Sequence, residues 1–301
     1  MKIIEFTEKF PDEQSCINHF RLTREKEGIT CKKCGCKKHY WLKAIKQWQC
    51  SSCNFRTTLR SGTIMHGSKL SIRKWYLANA YMTMTKKGIS ANEVKRQLNH
   101  SRYESIWRMM HKIREAMGKR DGLYVLEDMV EFDEGYFTTG APESTDLKRG
   151  KGSQKQQNVA VMAESVPIED IDTDTTSHQC RYFKMKVLES HLKDAVNECV
   201  KENIQDTSVV FSDKSTSYVD IEDLVEYHFA EKSTKEYSKN KLGWVHIAIS
   251  NAKRTFLGLY HHMKAKYLQN YLDEFCYKLN RRYFGDKLFD RAIIAIGHQY
   301  C

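Results

Sequence analysis

Four cysteines constrain this chain more than any other feature. Cys31-Lys32-Lys33-Cys34 and Cys50-Ser51-Ser52-Cys53 are two Cys-x-x-Cys pairs separated by fifteen residues, the spacing of a four-thiolate zinc ribbon. Two knuckles on facing hairpins set four soft sulfurs around one tetrahedral Zn2+, a closed structural site with no position left for substrate. Zinc then folds a module too small to bury a core of its own, and the chemistry must lie elsewhere. A redox dithiol needs one such pair in a thioredoxin-like unit rather than two. Cys36 is an extra thiol beside the first knuckle, able to exchange with Cys34, but the symmetric quartet of Cys31, Cys34, Cys50 and Cys53 is preferred.

The charge is unevenly spread. Residues 21–120 hold 24 Lys and Arg against 5 Asp and Glu, a balance of +19, whereas the rest of the chain holds 25 against 33, a balance of −8. A basic module joined to a mildly acidic one reads as a polyanion-binding head on a domain that concentrates carboxylates. No apolar run is long enough to span a bilayer and no cationic-then-apolar leader is present, so no membrane partner is expected. Six further cysteines, at 16, 36, 180, 199, 276 and 301, have no paired spacing, which fits buried thiols in a reduced, cytoplasmic setting.

Three segments are expected: a lead-in helix and zinc ribbon in 1–60, a helix-turn-helix DNA-binding domain in 61–120, and an α/β domain in 121–301. Phe6, Phe10, Cys16 and Phe20 form a small helical face, and Tyr40, Trp41, Trp48 and Phe55 alternate with polar residues as hairpin strands do. From Ser71 the period is helical, with Gly88 as a stop. Ser90 and Glu93 make a capping box for a second helix to Leu98, and Ser101 caps a third to about Met117. Two short helices around a tight turn and a longer basic one read as helix-turn-helix, presenting Arg102, Tyr103, Arg108 and Lys112 to double-stranded DNA. Beyond Gly122, strands are expected at 130–138, 158–164, 180–188, 208–212 and 226–230. A polar stretch at 140–157 and an exposed acidic loop at 164–176 interrupt them. Helices follow at about 190–203, 247–259 and 265–282. Three strands, helix, strand, helix, strand, helix is the order of an RNase H-like fold.

In that order the first strand lies beside the fourth, bringing a carboxylate on one near a carboxylate at the end of the other. Asp133, in Val-Glu-Phe-Asp-Glu-Gly, and Asp213, in Val-Val-Phe-Ser-Asp-Lys, hold those places. Glu131 shares the face of Asp133, so alternation alone does not choose between them. Two carboxylates that close repel unless a cation bridges them, which makes the pair a Mg2+ or Mn2+ candidate.

The ribbon, Val130-Glu131-Phe132-Asp133-Glu134, Phe211-Ser212-Asp213 and Trp244-Val245-His246-Ile247-Ala248-Ile249-Ser250-Asn251-Ala252-Lys253-Arg254 together carry a resemblance. So do the following Leu257-Gly258-Leu259-Tyr260-His261-His262, Tyr271-Leu272-Asp273-Glu274-Phe275 and Asn280-Arg281-Arg282. Over about residues 25–285 the chain resembles insertion-sequence transposases of the DDE class, from the group related to Merlin elements. The resemblance implies Asp133 and Asp213 as the first two Mg2+ or Mn2+ ligands. Asn251 aligns where most such enzymes place a Glu, with Lys253 nearby to steady a phosphate oxygen. An Asn carbonyl ligates a hard cation but adds no negative charge. His246, His261 and His262 are able to touch DNA or metal, with packing or surface roles preferred for each. The expected function is binding of terminal inverted repeats, metal-dependent phosphodiester cleavage and strand transfer, by a homodimer on DNA. The neutral Asn251 keeps open a second reading, a catalytically inactive DNA-binding regulator. A third is a nuclease that cleaves junctions or hybrids without joining strands.

Overall fold

The computed structural model describes residues 1–140, 155–170, 175–190, 192–232, 234, 237, 241–260 and 263–298, without the side chains of 167–170 and 175–178. They fall into two compact units, Met1–Arg120 with Tyr283–Cys301, and Asp121–Arg282. The expected segment 121–301 thus loses its end to the first unit. The cause is the apolar face of the last helix, where Phe289, Ile293 and Ile296 are buried.

In the first unit, helices α1 (Ile3–Lys9) and α2 (Glu13–Glu27) bury the expected face of Phe6, Phe10, Cys16 and Phe20. Three antiparallel strands follow, β1 (His39–Leu42), β2 (Gln47–Cys50) and β3 (Arg56–Thr58), with Trp41 paired to Trp48 across the first hairpin. The Arg24 guanidinium donates to the Leu59 carbonyl at 2.8 Å, and the Trp48 indole to Glu25 at 2.9 Å, so α2 is strapped to the ribbon. Helices α3 (Ile72–Met84), α4 (Ala91–Gln97) and α5 (Tyr103–Gly122) complete the run. Ser71 caps α3 as expected, and Glu13 accepts from the amides of Ile72 and Arg73 at 2.8 and 2.7 Å, covering two more first-turn donors. Helix α3 ends before Gly88, which takes a left-handed φ of 109° in the linker. Only half of the expected capping box forms. Ser90 accepts from the Glu93 amide, but the Glu93 carboxylate turns to Arg96 at 2.6 Å.

The second unit is built on a five-stranded sheet of β4 (Met129–Thr138), β5 (Gln156–Asp170), β6 (Thr175–Val187), β7 (Val209–Asp213) and β8 (Tyr227–Glu231), in the order β6-β5-β4-β7-β8. The first three are antiparallel neighbours, while β7 and β8 join parallel to β4. Of the acidic stretch at 164–176, residues 164–170 and 175–176 belong to strands rather than to a loop, and 171–174 lie outside the described residues. Strands β5 and β6 continue pairing through it as far as Asp170 opposite Thr175, so the charged residues extend a hairpin. Of the polar stretch at 140–157, residues 141–154 lie outside the described residues, as do His261, His262 and Cys301.

Alternation sorts the sheet into two faces. Val130, Phe132, Ala160, Met162 and Val210 pack with α6 (Lys193–Asn203) and a 3₁₀ turn at Thr216–Asp223. Phe137, Val159, Val161 and Phe183 pack on the other face with α7 (Gly243–Leu259) and α8 (Leu268–Asn280). Gly135 lets α7 lie close to β4, because a Cβ there would stand 3.3 Å from Ile249. No helix among the described residues is long and apolar enough to cross a membrane.

One buried charge tests this packing. Lys184 on β6 is 4% exposed and donates to Asn203 at 3.2 Å, and burial pulls its pKa down from 10.5 to about 8. Between those values the unfolded chain holds the proton that the folded chain has lost, so stability rises with pH across that window. Lys184→Met is expected to be roughly 2 kcal/mol more stable than the wild type near neutral pH, with that rise removed. Denaturant melts across the same pH range check this, and parallel wild-type and variant curves would contradict it.

Candidate functional site

The thiol quartet assembles as the spacing predicts. The Sγ atoms of Cys31, Cys34, Cys50 and Cys53 all lie within 4.8 Å of one another. Cys31 stands 3.6 Å from Cys53, and Cys34 the same distance from Cys50. Sulfurs held tetrahedrally at about 2.3 Å from zinc are about 3.8 Å apart, so the donor set fits that ion. The Cys53 backbone amide, aimed at Cys50, is the largest influence holding the Cys50 thiol below its ordinary range, which favours the ligating thiolate. Cys36 sits outside the quartet, 3.7 Å from the Ser51 hydroxyl.

The carboxylates meet on the second unit's sheet. The parallel ladder of β4 and β7 ends at Phe132 opposite Ser212, so Asp133 and Asp213 are the next residues on neighbouring strands. Both sit on the face that α7 covers, since Phe132 and Val210 occupy the other. Burial pushes the Asp133 carboxyl up to about 6, with the charge of Asp213 adding to the rise. The Glu134 amide and His246 act in the opposite sense. That amide donates to Asp133 Oδ1 at 2.7 Å. Glu134 itself turns to the opposite face, where the Asn158 amide donates to it.

The ambiguity between Glu131 and Asp133 has a structural answer. Glu131 is buried and its Oε2 accepts from the amides of Trp244 and Val245 at 2.8 and 3.1 Å. It serves as the N-terminal cap of α7, a role that the strand pattern did not reveal. Burial nevertheless raises its carboxyl to about 7. Asp133, two residues on, stands mid-way along β4, just past the end of its ladder with β7.

Helix α7 brings a histidine to the carboxylates. His246 Nε2 lies 3.3 Å from Asp133 Oδ2. Asn251 is five residues further along α7, about 140° around the helix axis from His246, and its Oδ1 accepts from Arg254 at 2.7 Å. The side chains of His246 and Asn251 therefore leave α7 in different directions, and His246 is the one with a contact to Asp133. Lys253 is seven residues after His246, about 20° from it around the axis, and its Nζ stands 5.7 Å from the Phe137 ring. That seven-residue spacing was the available signal. Tyr237 was missed altogether: its hydroxyl donates to the carbonyls of Ser212 and Phe229 at 3.0 and 3.2 Å, clasping β7 to β8 next to Asp213. Nothing in its polar surroundings marks it in sequence.

The four candidate DNA contacts do not form one stripe. Arg102 and Tyr103 stand exposed at the start of α5. Arg108 and Lys112 share another stripe, about 140° from Tyr103. Lys112 also donates to the His66 carbonyl at 3.3 Å, which ties it to the segment before α3.

Two family models match the chain. The one described as the ISXO2-like transposase domain matches residues 125–280, and the one described as the transposase zinc-ribbon domain matches residues 11–56. No curated protein matches. Among solved structures, similarity is found to a pre-cleavage Mos1 transpososome, at 11% identity over 72% of this chain and 77% of that one, TM-score 0.29. The Mos1 strand transfer complex gives 12% identity, 72% and 76% coverage and a TM-score of 0.28. The Mos1 mariner paired-end complex with Mn gives 11%, 72%, 77% and 0.28. These scores are too low to bear on the chemistry of this chain.

The quartet has a direct check. Purified protein is expected to hold one tightly bound zinc through the ribbon, unchanged by Cys36→Ser and lost in Cys50→Ser, as read by elemental analysis. Retention of that metal in Cys50→Ser would contradict the assignment.

Proposed function

This chain belongs to the ISXO2-like transposases, and we propose that it cleaves and rejoins the ends of its mobile element with a site made by Asp133, Asp213 and His246. The observation that carries this reading is His246 of α7 standing 3.3 Å from Asp133, which is neighboured by Asp213 just past the end of the β4–β7 ladder. The strand order β6-β5-β4-β7-β8, with helices on both faces, supports an RNase H-like arrangement for this unit. Helices α3 to α5, following the ribbon in a strongly basic segment, support a helix-turn-helix that grips terminal repeats through phosphate contacts. Two element ends must be handled together, so the working form is read as a homodimer on DNA, in the reduced cytoplasm that suits free thiols.

Two carboxylates and an imidazole form a donor set suited to a divalent cation, Mg2+ or, better matched to an imidazole nitrogen, Mn2+. Such an ion supplies Lewis-acid stabilisation of an in-line displacement at phosphorus. The chain's own residues prepare the site. Burial of Asp133 beside Asp213 sets up an electrostatic demand that a cation relieves. Glu131 pins the N-terminus of α7, which fixes His246 over the strand end. Tyr237 holds β7 and β8 in register beside Asp213, and Lys253 stands on the same helix stripe, placed for a phosphate oxygen. The inactive-regulator reading rested on the neutral Asn251, and the match to a transposase domain over residues 125–280 does not favour it.

Strand cleavage of terminal-repeat DNA with Mn2+ is expected to fall roughly a hundredfold or more in Asp213→Asn and in His246→Ala. Asn251→Ala is expected to stay within about threefold of wild type. His246→Glu, which restores a hard oxygen ligand, is expected to shift the metal preference from Mn2+ towards Mg2+. Gel assays of labelled ends read all four. Full activity in Asp213→Asn, or a larger loss in Asn251→Ala than in His246→Ala, would contradict the site.

A further inference from the structure

Three aromatic rings, one half-buried and two exposed, line the face beside the carboxylates. Phe211 lies two residues before Asp213 on the same face of β7, about 7 Å along the strand. Phe229 is its partner on β8, and Tyr227 lies two residues before Phe229. The rings of Phe211 and Phe229 are stacked at 5.4 Å and 16°, and those of Phe229 and Tyr227 at 6.5 Å and 21°. Lys241 Nζ sits 5.0 Å from the Phe211 ring. Phe229 is 51% exposed and Tyr227 57%, and β8 is the edge strand of the described sheet.

Neither burial nor the fold accounts for two large aromatic side chains left in water on this edge. We propose that Phe211, Phe229 and Tyr227 form a stacking platform for unpaired bases of the DNA strand next to the phosphate held at Asp133 and Asp213. Parallel flat rings with cations on their rim match a nucleobase with its phosphate better than an aliphatic partner helix. Base–aromatic stacking tolerates any sequence, and Lys214, Lys232 and Lys241 are exposed cations suited to the backbone. Strand ends must leave the duplex for a displacement at the scissile phosphate, and unstacking a base is costly unless a surface receives it. The platform gives that surface within reach of the carboxylates. Glu231, opposite Asp213 on β8, bounds it on the side of the acidic row.

This inference rests on the reading of Asp133 and Asp213 as the cleavage site, but its test does not require cleavage. The full chain is titrated, without added Mg2+ or Mn2+, against a short blunt duplex and the same duplex carrying a single-stranded thymidine tail. Fluorescence anisotropy gives both affinities. Wild type is expected to prefer the tailed duplex. Phe229→Ala and Tyr227→Ala are each expected to lose roughly tenfold in affinity for it, with blunt-duplex binding unchanged, and Phe229→Trp is expected to restore the preference. An unchanged preference in both alanine variants overturns the platform. So does a shift of Phe229→Ala to a smaller species in sedimentation, which would assign the face to a second copy of this chain. A chain that keeps the tail preference yet never cleaves refutes only the catalytic reading.

Discussion

The second unit is organised around a repulsion. Two backbone strands that are eighty residues apart in sequence pair in parallel, and the ladder delivers two carboxylates side by side at its end. Backbone hydrogen bonds fix that placement, so the side chains cannot separate without breaking the sheet. The resulting strain shows in Asp133, whose carboxyl is held near 6 by burial and by its neighbour. A divalent cation relieves both effects at once, which is why the geometry points to metal chemistry more strongly than either aspartate alone. Helix α7 completes the arrangement from above, anchored at its first turn by Glu131 and approaching β4 over Gly135.

The first unit solves a different problem. Its ribbon strands are three or four residues long and cannot build a core. Four thiols gathered in a donor set that fits zinc, and the strap of Arg24 and Glu25 to the ribbon, substitute for one. The last helix, α9 (Leu288–Gly297), adds its apolar face to the same unit, with Phe289 packed edge-on against Phe6 and Tyr76. The basic excess of residues 21–120 therefore sits on a scaffold held by aromatic packing and by a thiol cluster suited to zinc.

Much of this was legible in the sequence because local rules dominate there. The thiol quartet, the Ser71 and Ser90 caps, the strand bearing Asp133 and the one ending on Asp213 follow from spacing and period. What the sequence hid depends on three-dimensional direction. Whether Glu131 or Asp133 faces the cleft was decided by a helix N-terminus over a hundred residues away. Asn251 aligned with a familiar position, yet the turn of α7 carries it about 140° from His246. The acidic run at 164–176 reads as a loop by composition, but its neighbours pair as a continuing hairpin, because strand pairing overrides the low propensity of Asp and Glu. Residues 283–301 are grouped with the α/β segment by sequence order, yet they cluster with the first unit, because adjacency carries no information about which core an amphipathic face will find.

The most direct test of this account is pulsed electron paramagnetic resonance of Mn2+ bound to the full chain, labelled with nitrogen-15 histidine. The account predicts a histidine nitrogen coupled to the manganese, retained in Asn251→Ala and abolished in His246→Ala. A manganese signal without that coupling, or one that survives the loss of His246, would contradict the proposal that His246 joins Asp133 and Asp213 in holding one ion.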